Sequence, residues 1–92
     1  MNRYPMFNPQ LLLSFVAVCD SNSFTRAAER VFLSQSTVSQ QVRRLEEMLG
    51  KPLFERNPHR VQLTEEGGRL LSYAKRILAL HEEAHDALTG FW

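Results

Sequence analysis

A single cysteine in 92 residues, Cys19, has no partner for an intrachain disulfide. This excludes a disulfide-stapled secreted scaffold and fits a reducing, cytoplasmic setting. Cys19 also shares a helical stripe with Leu12, Phe15 and Val16, the place of a buried small hydrophobe and not of a reactive thiol. No apolar run approaches the roughly 20 residues that a membrane span requires. The run LLLSFVAVC behind Arg3 has the look of a signal-peptide core. However, NPQ before it supplies Asn8 as a helix cap and Pro9 as a first helical residue, and no small-residue cleavage site follows. An excess of one charge is lacking too: 11 basic and 10 acidic residues give a net +1, a total that points to no polyanionic partner. A chain of this length buries only a modest core and has little room for a large catalytic cleft. Neither a repeat nor a low-complexity linker is visible.

The charge that is present is unevenly placed. Between residues 23 and 64, seven basic residues stand against four acidic ones, a local +3; from residue 65 onward, three stand against five, a local −2. The positive charge therefore belongs to the middle of the chain, and the last segment serves another purpose.

Punctuation divides the sequence into four helices and one extended pair. The first helix is expected over about 9–20 and is ended by DSNS, whose side chains compete for backbone hydrogen bonds. The second begins near Ser23 or Thr25 and carries Ala27 and Ala28, small enough for another helix to approach closely. Leu33 reads as a buried turn residue. Ser34 reads as the cap of a third helix running from Gln35 until Gly50 supplies a left-handed stop, with Pro52 confirming the break. Apolar Leu53, Phe54, Val61 and Leu63 flank a polar turn at Asn57 and Pro58, the pattern of two short strands in a hairpin over about 53–63. Thr64 then caps a final helix expected to reach about residue 88. Three short helices followed by a hairpin form the winged helix-turn-helix plan, a mainly α fold, here followed by a long helix. The division is 1–64 for the winged domain and 65–92 for the last helix.

The third helix has an unusual polar face. At about 100° per residue, Val38, Val42, Leu45 and Leu49 fall in one narrow sector. Ser36, Gln40 and Arg43 point the opposite way, with Thr37 and Ser39 on the flanks. A merely solvated face is more usually written with Glu and Lys. Short hydroxyls, an amide and a guanidinium can instead exchange hydrogen bonds with base edges: Gln with adenine, Arg with guanine, Ser or Thr with either. Ser34 and the free N–H groups at the helix start can hold a phosphate, which fixes register without reading sequence. Glu46 and Glu47 come only later, where such a helix leaves the groove. A winged-helix module that binds a protein partner is the alternative from another class.

The pieces SFTRAAE, SQSTVSQQVRRLEEMLG, LFER and LTEEG, within a stretch of about 12–80, closely resemble the N-terminal DNA-binding domain of LysR-type transcriptional regulators. The resemblance implies a bacterial, non-enzymatic, double-stranded-DNA-binding module with no cofactor and no metal. It also implies a C-terminal effector-binding domain, which is absent from this chain. In the family, base and phosphate contacts come from the start of the recognition helix and from the wing. Those positions are here Ser34, Gln35, Ser36, Thr37, Ser39, Gln40 and Arg43, with Arg56, His59 and Arg60 from the hairpin. Where many members carry proline and alanine this chain has Ser36 and Thr37, and where they carry arginine it has Gln40, so a relative's base preference does not transfer. Histidine in NPHRV stands where arginine is common, which leaves open whether His59 or Arg60 is the deeper contact.

Two readings compete for the last helix. HEEAH, from His81 to His85, matches H-E-x-x-H, in which two histidines one turn apart bind zinc. A catalytic zinc needs a third protein ligand and a cleft, and only seven residues follow His85. His59 has no serine or cysteine partner in a nucleophile motif. The better reading is a contact stripe. Leu70, Ala74, Ile77, His81, Ala84, Leu88 and Phe91 follow 4,3 spacing, broadened by Leu71 and Leu78, as in the seam between two helices. A homodimer through this helix is expected; a helix folded back on its own core is the alternative. The resemblance adds that the linker helices pair antiparallel, with a tetramer left open for a full-length protein.

Overall fold

The computed structural model describes residues 7–57 and 59–90. Four helices follow one another, and each begins at a side-chain cap. In α1 (Pro9–Ser21) the Asn8 carboxamide accepts the Gln10 N–H at 2.9 Å, with proline at the first helical position. The helix ends at Asn22, in the left-handed region at φ 54°. Ser23 caps α2 (Phe24–Val31) by accepting the Arg26 N–H at 3.1 Å. After the turn at Phe32 and Leu33, Ser34 caps α3 (Gln35–Leu49) through the Thr37 N–H at 3.1 Å, and Gly50 closes it at φ 68°. Thr64 caps α4 (Glu65–Thr89) through the Gly67 N–H at 3.0 Å.

Two apolar clusters join these elements. One gathers Leu11, Leu12 and Phe15 of α1, Leu45 of α3, Leu53, and Leu70 and Ala74 of α4. The other gathers Ala17 and Val18 of α1, Ala27 and Ala28 of α2, and Val38 and Val42 of α3. The buried alanine pair allows the close helix approach expected of it. Phe54 packs on both clusters, its ring centroid 5.5 Å from that of Phe15 and 5.6 Å from that of Phe24. One polar side chain is buried among them: the Ser14 hydroxyl of α1 donates to the Gln41 carboxamide of α3 and so ties the two helices. Leaving such a group unpaired costs about 1–3 kcal/mol, so this bond opposes any shift of α3 against α1.

Leu53 is the joint of the structure. Its N–H donates to the Glu46 carboxylate on α3 at 2.8 Å, and its carbonyl accepts the Thr64 N–H at 3.0 Å. Gly67 sits so close to that carbonyl that a Cβ there would lie 2.1 Å from the oxygen, so only glycine lets α4 start where it does. The Thr64 hydroxyl donates to the Pro52 carbonyl at 2.7 Å, completing the attachment.

Three expectations need correction. The wing is not resolved as two full strands: among the described residues, its expected antiparallel pairing is reduced to one bridge, Phe54 with Leu63. Beside it the Glu55 N–H reaches the Gln62 carbonyl at 2.7 Å, but beyond that the chain bonds to itself. The Asn57 N–H donates to Glu55 at 3.0 Å and the Asn57 carboxamide accepts the His59 N–H at 2.9 Å, which removes these groups from any ladder. Pro58, read as part of this turn, lies outside the described residues. Leu70 and Ala74, assigned to a seam between chains, are core residues of this chain, and Leu71 and Leu78 pack against the same cluster. The physical reason is the attachment at Leu53 and Thr64, which lays the first turns of α4 across α1, where the Lys75 ammonium also meets Asp20 at 3.3 Å. Leu49, grouped with Val38, Val42 and Leu45 in the apolar sector of α3, does not share their burial and is 38% exposed at the helix end. Among the described residues no helix is long and apolar enough to cross a membrane.

Candidate nucleic-acid interface

The start of α3 presents its polar face outward because Val38, Val42 and Leu45 are drawn into the core on the opposite side. Ser34, Gln35, Ser36, Gln40 and Arg43 are exposed, and Thr37 and Ser39 lie half-buried on the flanks. Two small networks order this surface. The Ser34 hydroxyl lies 2.8 Å from that of Thr37 and 3.2 Å from that of Ser36, while the Gln35 amide donates to Ser39 at 3.0 Å. The caps are thereby satisfied within the chain, and Gln40 and Arg43 extend beyond them.

The wing divides its predicted residues between two clefts. Arg56 faces α3 across a cleft that it shares with Ser39 and Arg43. His59 and Arg60 lie on the other side, in a cleft with Asn22, Ser23 and Phe24 at the start of α2. Arg43 and Arg56 thus act on one surface, and His59 and Arg60 belong to a neighbouring one. Glu46 and Glu55 line the same cleft as Arg43 and Arg56, but the ion pairs found among the described residues, Lys75 with Asp20 and His85 with Asp86, both involve α4, so neither arginine is tied in one. Arg44 and Gln41 also line a shallow cleft with Thr37, Gln40 and Arg43. Sequence reasoning passed over both; the doubled arginine after Val42 was the available signal for Arg44.

Burial, reinforced by the negative charge of Asp20, pushes the Cys19 thiol up to about 12, so it stays protonated at neutral pH and offers no thiolate nucleophile. His81 and His85 are exposed on the outer half of α4. Among the described residues, no three His, Cys, Asp or Glu side chains come together as a metal site. Ile77, at 39% exposure, His81, Ala84 and Leu88 remain accessible from outside, unlike Leu70 and Ala74. Phe91 lies outside the described residues.

Residues 9–68 match the family described as bacterial regulatory helix-turn-helix protein, lysR family. The chain belongs to the LysR family. Within it, the chain is 48% identical over 80 residues to the HTH-type transcriptional regulator DgdR of Burkholderia cepacia, an alignment covering 87% of this chain and 27% of DgdR. It is 50% identical over 74 residues to the HTH-type transcriptional regulator PecT of Dickeya dadantii, covering 80% of this chain and 23% of PecT. This LysR-family chain therefore spans about a quarter of the length of these relatives. In structure it is similar to the BenM DNA-binding domain in complex with benA site 1 DNA, with a TM-score of 0.86 at 33% identity over 92% of this chain and 96% of that one. Its four helices and short wing have the winged helix-turn-helix fold of that domain.

Proposed function

We propose that this chain is the DNA-binding part of a LysR-type transcriptional regulator, a cytoplasmic protein that recognises duplex DNA by sequence and performs no chemistry of its own on this domain. The observation that carries this reading is the single surface on which Ser36, Gln40 and Arg43 of α3 stand exposed with Arg56 across the adjoining cleft. α3 enters the major groove. Ser34 and Gln35 hold the phosphate at its start, and Ser36, Thr37, Ser39, Gln40 and Arg43 meet base edges and neighbouring backbone. Arg56 reaches the flanking phosphates, while His59 and Arg60 reach the backbone or minor groove further along. Two chains associate through the exposed outer part of α4, around Ile77, His81, Ala84 and Leu88, so that two recognition helices address a palindromic site. In the whole protein a further domain binds a small effector and sets the response.

The test is selection of bound duplexes from a random pool. An enriched palindrome is expected, whereas binding without enrichment would favour a protein partner for the same surface. Gln40→Ala should then cost ~1–3 kcal/mol at the selected site and little on random DNA. Arg56→Ala should weaken both, and lower the slope of log affinity against log salt by about one.

A further inference from the structure

Phe32 combines two features that folding alone disfavours. Its backbone is in the left-handed region at φ 59°, where glycine or asparagine ordinarily closes a helix and a bulky side chain is an outlier. Its side chain is also 92% exposed, the highest value among the large apolar residues of the described chain. The turn needs neither feature from a phenylalanine. The N–H of residue 32 closes α2 on the carbonyls of Ala28 and Glu29, a bond any residue but proline can make. The apolar contact that usually accompanies such a stop is made by the next residue: Leu33 donates its N–H to Ala28 at 3.0 Å and packs on the second cluster. Leu33 holds the turn from inside, and Phe32 is left facing out.

What it faces follows from its position. Phe32 is two residues before Ser34, the cap of α3, and two residues of chain span at most about 7 Å. A duplex whose phosphate is held at the first turn of α3 therefore brings that strand within reach of the ring. The base-reading positions Ser36, Gln40 and Arg43 lie further along the helix, so Phe32 meets the strand at the rim of the groove and not at its floor. The group available there to an uncharged ring is the apolar face of a deoxyribose. We infer that Phe32 is a DNA-positioning residue, packing on a backbone sugar next to the phosphate at Ser34 and setting how deeply α3 enters the groove. This rests on the DNA-binding reading above.

Phe32→Asn separates this role from a structural one, because asparagine tolerates the left-handed conformation and removes the ring. Its unfolding midpoint should equal or exceed that of the wild type. Its affinity should fall roughly tenfold, as for an aromatic ring that no longer loses water on docking. The loss should be the same on the duplex selected by the wild type and on a scrambled duplex of equal length, with an unchanged salt slope because no charge is removed. Phe32→Tyr, which keeps the ring, should retain wild-type affinity. Wild-type binding with no loss in Phe32→Asn overturns the contact alone. A loss confined to the selected duplex overturns the sugar contact in favour of a base. A fall in stability that parallels the fall in affinity makes the role structural and also overturns it. Failure of the wild type to bind either duplex overturns this contact and the DNA-binding reading together.

Discussion

Along α4, Leu70 and Ala74 are enclosed by α1 and the start of the wing, whereas Ile77 and Leu88, further along the same stripe, are 39% and 88% exposed. The apolar spacing from 70 to 88 barely changes between these two halves. What changes is what lies beside them. The inner half is anchored at Thr64 and Leu53, so its apolar face finds α1 of the same chain; the outer half continues past the body of the domain. A 4,3 stripe thus specifies a helix with one sticky side and carries no address for what covers it.

The comparison predicts different failures for the two halves. The largest effect is expected inside: Leu70→Ala should lower the unfolding free energy by about 2–5 kcal/mol, measured by denaturant titration, as for other buried leucines truncated in a packed core. A loss near zero would mean that the inner half is not held as described. At the outer half, Ala84→Asp combined with Leu88→Asp should leave the fold of the single chain intact, with a stability change within about 0.5 kcal/mol. If the wild type dimerises as proposed, sedimentation should show the double variant as monomers, and affinity for a palindromic site should drop by orders of magnitude while a single half-site is bound as before. A double variant that remains dimeric would move the seam toward the groove around Leu49, Tyr73 and Ile77. Ile77→Asp, at the border between the halves, should show part of each defect. The smallest effect has the opposite sign. Gly68 is exposed with open space around it, so Gly68→Ala should stabilise the inner half by about 0.5–1 kcal/mol, visible as a higher unfolding midpoint with no change in association.

The helix starts were legible in the sequence because they are marked by residues whose chemistry is local: Asn8, Ser34 and Thr64 cap as their side chains suggest, and the second start, left between Ser23 and Thr25, falls to Ser23. The polar face of α3 was legible for a related reason, since burying Val38, Val42 and Leu45 leaves Ser36, Gln40 and Arg43 one direction to point. The wing was legible only in part: apolar Leu53, Phe54, Val61 and Leu63 suggest paired strands and one bridge forms between them, while Asn57 diverts the intervening backbone into its own turn. The division of the wing residues between two clefts was equally hidden, as it depends on how that turn stands against α2 and α3. The left-handed Phe32 left no local mark, since phenylalanine is not a residue from which such a conformation is read.

The fastening of Leu53 has a mechanical consequence. With its N–H on Glu46, its carbonyl on Thr64 and Gly67 pressed against that carbonyl, Leu53 links the end of α3 to the start of α4 directly, bypassing the wing that lies between them in the chain. Two copies joined along their outer α4 segments would behave as a caliper whose jaws are the recognition helices and whose arms do not flex at the joint. A site with half-sites at another spacing or angle would have to be bent or twisted into the jaws, at a cost of the order of 1–6 kcal/mol for a bend of 40–90°. Base pairs between the half-sites would then be discriminated by their stiffness, although no side chain touches them.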